Sequence, residues 1–278
     1  MIKRILVPLD ISPFAAASVA RACELAKTAD AEVTGMVVLD TAGIEKSANL
    51  PFRADLRDYP GDGVVESEVE AAEKLKVVVE AFENTVGESG VRSRLSKCEG
   101  HPYQQILAAS CFHDLVIMGS QSFYHFETEE GPGDTLDKVL KNAVVPVMVV
   151  PAREPDALKS ALVLFDGSPL SSRALHAFAE FWQYDRPKVR LLAGDVNQSF
   201  GESLLKEAKH FLKAHGVDNI EVVVDSGSVI RSVEDVHLDW SDFIVLGIHS
   251  RATVKDLIVG SVARHLIERG HKTLLFSP

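Results

Sequence analysis

Residues 160–166, SALVLFD, repeat the pattern of residues 4–10, RILVPLD, and that repetition decides the fold. Each run is a short apolar stretch that ends in an acid, Asp10 and Asp166. Each is followed by Ser-Pro, as Ser12-Pro13 and Ser168-Pro169, and then by an amphipathic helical pattern. Ser favours an N-cap and Pro is tolerated just inside a helix, so the sequence predicts the same strand–turn–helix unit twice. Two further pairs follow in the same order. DLVIMG at 114–119 matches DFIVLG at 242–247, and VPVMVVP at 145–151 stands where KTLLFSP stands at 272–278.

The spacing of these landmarks divides the chain. The interval from Asp10 to Gly119 exceeds that from Asp166 to Gly247 by 28 residues. The surplus falls near 41–70, in a stretch rich in Gly, Pro, Asp and Ala that reads as a long loop. PAREPDALK at 151–159 reads as a linker. The expected domains are 1–152, with an insertion at 41–63, and 158–278.

Runs such as LVIM and FIVL are apolar on consecutive residues, as strands buried on both faces of a parallel sheet must be. Strands alternate with helical patterns throughout, which requires crossover connections and helices on both sheet faces. The fold class expected is α/β: two tandem three-layer domains, each with a five-stranded parallel sheet in the order 3-2-1-4-5.

Composition narrows the partners. The net charge is −11, and no Lys/Arg run exceeds two residues. A nucleic-acid reader would carry a basic face, so neither nucleic acid nor an anionic membrane is an expected partner. Three cysteines without Cys-x-x-Cys suit buried thiols in a reducing compartment. No apolar run approaches the ~20 residues of a membrane span. The N-terminal apolar run is too short for a signal peptide, so a cytoplasmic protein is expected.

In an open parallel sheet a ligand sits beyond the carboxyl ends of the strands, where strand order reverses. For the order 3-2-1-4-5 that point lies between the first and fourth strands. In the second repeat those strands end at Asp166 and Gly247. The following loop carries Gly247, Ser250, Gly260 and Ser261. Small residues let backbone amides approach an anion, and Gly260-Ser261 opens a helix whose positive end favours phosphate. Asp166 is placed to accept from ribose hydroxyls. Taken singly, each of these residues has an ordinary reading as a turn or a cap; together they indicate a nucleotide site. His249 is a candidate phosphate contact, as are Arg251 and Lys255, and His265 is a candidate contact for ligand or partner. His210 and His215 read as helix-surface residues and His101 as a turn residue. There is no G-x4-G-K-[ST], G-x-S-x-G or H-E-x-x-H pattern.

With these residues in place, the chain resembles the universal stress protein family in a tandem form. The resemblance rests on ILVPLDxS at the start, DLVIMGS and DFIVLGI, the G-x2-S-x9-G-S spacing from Gly247 to Ser261, and VPVMVV at 145–150. It implies an adenine nucleotide alpha hydrolase-like fold and binding of ATP, with or without Mg, in the second repeat. Asp166 is then expected at the ribose and adenine edge, with Gly194 and Val196 beside the base. Gly247, His249, Ser250, Gly260, Ser261 and Val262 are expected at the phosphates. Ser250 replaces the second glycine of the family loop, G-x2-G-x9-G-[S/T].

The first repeat departs further from that loop. After Ser122 the ninth-residue spacing reaches Pro132, Gly133 is one residue late, and Asp134 replaces Ser/Thr. Glu127, Glu129 and Glu130 would repel a triphosphate. That site is expected to be weak or empty. The resemblance further implies a stress-response regulator with slow ATP turnover or none. A slow ATPase or hydrolase in the same pocket, and an interaction protein with both sites inactive, are the alternatives. Pairing of the last strands, 145–150 against 272–276, would be internal to the chain, and a homodimer of whole chains is a further mode of assembly.

Overall fold

The structure, a computed structural model, describes residues 1–40, 62–124, 133–153, 157–194, 196–248 and 259–278. The 41–63 insertion thus falls almost wholly outside the described residues. The chain divides into two compact units, Ile2–Val139 and Leu140–Pro278, the latter with Met1.

The unit Ile2–Val139 contains β1 (Arg4–Leu9), α1 (Pro13–Ala29), β2 (Glu32–Leu39), α2 (Asp62–Ser89), β3 (Arg92–Glu99), α3 (Pro102–Ser110) and β4 (Leu115–Gly119). Its strands run parallel in the order β3-β2-β1-β4. Ile5, Leu6, Val7 and Leu115–Met118 are buried on successive residues, as strands covered on both faces require. On α1, Ala15, Val19, Ala22 and Ala26 are buried at helical spacing and present small side chains that bring the helix close to the sheet. The helix stops at Asp30, whose left-handed backbone (φ 49°) returns its N–H to the Ala26 carbonyl.

α4 (Thr135–Asn142) leads into the second unit. There follow β5 (Val147–Val150), β6 (Ser160–Leu164), α5 (Pro169–Asp185), β7 (Lys188–Gly194), α6 (Gln198–Ala214) and β8 (Ile220–Asp225). The unit closes with α7 (Val229–Ser232), β9 (Phe243–Gly247), α8 (Ser261–Arg269) and β10 (Thr273–Ser277). The strand order is β5-β10-β9-β6-β7-β8. β6 to β10 are mutually parallel in the expected 3-2-1-4-5 arrangement, and β5 joins β10 antiparallel, Met148 opposite Leu275. The compact units divide ahead of the 151–159 linker, and β5 falls in the second of them.

Two local details stand out. Helix 228–238 is not uniform: after α7 the backbone widens into a π-helical turn at Val233–His237, closed by Leu238 N–H on the Val233 carbonyl at 2.7 Å. The two Ser-Pro turns also behave differently. Ser168 Oγ accepts from Ser171 N–H at 3.2 Å, whereas Ser12 makes no side-chain cap and donates its hydroxyl to Asp10.

A buried histidine gives the first unit a pH dependence. His113 lies between the Ala109 carbonyl (Nδ1, 2.8 Å) and Thr34 Oγ1 (Nε2, 3.0 Å). A carbonyl can only accept, so Nδ1 donates and neutral Nε2 accepts the Thr34 hydroxyl. Burial holds the imidazole below its ordinary value. The unfolded chain then binds the extra proton first. Stability is fully present above the ordinary imidazole range and is lost as pH falls from there toward the lowered value. His237, also lowered by burial, acts in the same direction. Urea unfolding from pH 7.5 to 5.5 is expected to show stability falling with pH, and His113→Gln to show a shallower fall. Equal slopes for the two proteins would refute the assignment.

Candidate functional site

The turn after β6 builds one side of the site. Asp166 is half-buried, and its Oδ1 accepts the Ser168 N–H at 2.9 Å. Gly167 takes φ 72°, which reverses the chain into α5. Opposite it, Gly247 ends β9. A Cβ there would lie 2.9 Å from Ser171 N and 3.0 Å from the Leu170 carbonyl carbon, so α5 approaches this strand only because residue 247 has no side chain.

The second side is the start of α8. Gly260 N–H donates to the Ile248 carbonyl at 2.8 Å and brings both ends of the 247–260 loop together. Gly260 is the N-cap and makes no side-chain cap, so the first-turn amides of α8 keep no side-chain acceptor of that kind. The third side is β7 and α7. A Cβ on Gly194 would lie 2.4 Å from Val229 Cγ2, so the bare glycine admits the first residue of α7.

These elements enclose one recess of about 530 Å³ of non-atom space, part of it open to solvent. Of the expected residues it gathers Asp166, Gly194, Gly247, Gly260, Ser261 and Val262. Val196 does not line it; its side chain packs beside Gly201 of α6. His249, Ser250, Arg251 and Lys255 lie outside the described residues. His265 faces Glu234, its Nε2 donating to Oε1 at 2.7 Å. Sequence reasoning missed the apolar walls, Phe165, Leu192, Val229, Leu246 and Ile248, which supply a surface suited to a flat ring. Phe165, Leu246 and Ile248 flank Asp166 and Gly247 in sequence and could have been added from the topology alone.

The corresponding place in the first repeat is organised differently. Asp10 is buried, and its oxygens accept from Ser12 N–H at 2.9 Å, from the Ser12 hydroxyl and from Phe123 N–H at 2.7 Å. Burial raises its carboxyl above the ordinary range, against the pull of these hydrogen bonds. Tyr124 is fully buried; burial, and then the nearby Asp10, push its phenol well up. Gly133 N–H donates to the Ser122 carbonyl at 2.8 Å, parallel to the Gly260–Ile248 bond. Thr135, not weighed from the sequence, is the first residue of its helix as Ser261 is of α8. Glu127, Glu129, Glu130 and Pro132 lie outside the described residues.

Comparison with known proteins turns on this architecture. A sequence model described as the Universal stress protein family matches residues 1–151. The chain belongs to the universal stress protein family. A family member from Methanocaldococcus jannaschii is 28% identical over 153 residues, which cover 53% of this chain and 81% of that protein. The structure of a universal stress protein from Archaeoglobus fulgidus superposes with a TM-score of 0.71 at 20% identity, covering 99% of this chain and 97% of that one. A functionally unknown protein from Pseudomonas aeruginosa gives a TM-score of 0.58 at 15% identity, with 100% and 93% coverage. At these identities the structural likenesses establish the fold alone. Among the described residues, no helix is long and apolar enough to cross a membrane, and no group of three or more His, Cys, Asp or Glu could hold a metal ion.

Proposed function

We propose that this chain is a cytoplasmic stress-response regulatory protein with domains 1–152 and 158–278, and that it binds an ATP-type nucleotide mainly in the second. The reading is carried by one observation. Asp166, Gly247, Gly260 and Ser261 line a single recess at the carboxyl ends of β6 and β9, with the start of α8 facing into it. Helix N-terminal amides without a side-chain acceptor suit phosphate, and the apolar walls suit a base. Among the described residues that line the recess, Asp166 is the one carboxylate, and its Oδ1 already accepts the Ser168 N–H, so Mg would arrive with the phosphates. The same engagement favours binding over hydrolysis, leaving turnover at most slow. The hydrogen bonds that Asp10 accepts from Ser12 and Phe123 support a weak or empty first site. The antiparallel β5–β10 contact supports pairing of the repeats through their last strands, and a homodimer of whole chains would then use another surface.

The test is mass spectrometry of ligand released by heat from gently purified full chain, with calorimetry of added ATP, with and without Mg. An adenine nucleotide in the released fraction, or saturable ATP binding near one per chain, is expected. Neither signal at millimolar ATP would sink the reading.

A further inference from the structure

Helices α7 and α8 stand on two sides of the recess, and one carboxylate outside it joins them. At the pocket end, Val229 of α7 rests against Gly194, while Ser261 and Val262 of α8 line the wall. Further along, Glu234 in the π-helical turn accepts from His265 Nε2 at 2.7 Å and from an Arg269 guanidinium nitrogen. His265 and Arg269 are four apart on α8, so both side chains rise from one face and converge on Glu234.

The turn that presents Glu234 is itself held from β7. Arg190 donates from Nη1 to His237 Nδ1 at 3.0 Å and from Nε to Glu221 at 2.8 Å, and its guanidinium stacks on Trp240 at 4.0 Å from the ring centroid. A helix as short as α8, at nine residues, has little stability of its own and takes its orientation from its tertiary contacts. Ala263 and Leu266 bury one face, and the Glu234 clasp fixes the rotation that the apolar face leaves soft.

We propose that Glu234 is a positioning residue. By holding His265 and Arg269, it keeps the first-turn amides of α8 aimed into the recess without touching what binds there. The geometry stands by itself; the consequence for affinity rests on the nucleotide reading above.

The experiment uses the full chain with wild type, Glu234→Ala, Glu234→Arg, Arg269→Glu and the Glu234→Arg/Arg269→Glu double variant. Hydrogen exchange at Arg264–Ile267, the first α8 amides with helix acceptors (Arg264 N–H on the Gly260 carbonyl at 2.9 Å), is followed without ligand, alongside ATP calorimetry well below the melting temperature. Glu234→Ala is expected to speed exchange at these amides by roughly tenfold and to weaken ATP binding by about 5- to 20-fold, with the swapped pair recovering much of both. Wild-type exchange at Arg264–Ile267 in Glu234→Ala would overturn the proposal, whatever happens to the melt. A lowered melt with unchanged exchange and affinity would mean a merely structural pair, and overturns it equally. A wild-type chain that binds no ATP removes the nucleotide reading alone, since exchange still decides the positioning role.

Discussion

Gly119→Ala is expected to destabilise the protein by about 3 kcal/mol, near the upper end of what overpacking costs. A Cβ at 119 would lie 2.2 Å from Phe14 Cβ and 3.1 Å from the Gln121 carbonyl oxygen. Phe14 Cβ sits directly on the backbone of α1, so no rotamer change can relieve the contact. Either α1 must move off the sheet or β4 must buckle, and both elements carry buried core. Gly87→Ala supplies the opposite sign. Gly87 lies inside α2, and its added methyl meets nothing within 4 Å. Removing glycine's backbone freedom there should stabilise by about 0.5–1 kcal/mol. Thermal melts of the two variants beside wild type check both signs. A Gly119→Ala protein melting at or above wild type would show that the close approach is not required.

Ser261→Glu is expected to leave the fold intact and to abolish most nucleotide affinity. Ser261 is exposed, opens α8 and lines the recess. An acid in the first turn of a helix is favoured by the helix dipole, worth about 0.3–1 kcal/mol, so stability should hold or rise. The same charge faces the place assigned to the phosphates. Two unit charges 4 Å apart repel by about 4 kcal/mol at an effective dielectric near 20. If half of that survives relaxation, binding falls by roughly 30-fold, and by several hundredfold if most of it does. Ser261→Gln has similar bulk without the charge and should bind within about threefold of wild type. Calorimetry with ATP, with melts as the control, reads both quantities. Wild-type affinity in Ser261→Glu would place the phosphates elsewhere or remove them.

The repeated strands made the fold legible before any coordinates. RILVPLD with SALVLFD, and DLVIMG with DFIVLG, are unbroken apolar runs that only a sheet covered on both faces explains. The order 3-2-1-4-5 then brought the ends of β6 and β9 together, and with them Asp166, Gly247, Gly260 and Ser261. The direction in which a side chain leaves a turn was not legible. Val196 follows β7 closely in sequence yet turns to Gly201. The partner of His265 was out of reach for a different reason. Glu234 lies 31 residues away in sequence, on a helix whose widening into a π turn no local pattern announced. The loop residues of the first repeat led to an expected difference between the two sites. The hydrogen bond from Phe123 N–H to the buried Asp10 was not among those expectations.

One consequence lies in the placement of β5. It is encoded at the end of the first repeat and lies antiparallel along β10, at the end of the second. A duplicated gene whose products shared no such strand could lose one half, or exchange it, at little cost. Here, excision of the first copy as far as the 151–159 linker would strip β10 of this neighbour and leave the apolar edge at Leu274–Phe276 open to adhesion. A chain cut at 151–159 is therefore expected to self-associate more readily than the whole chain.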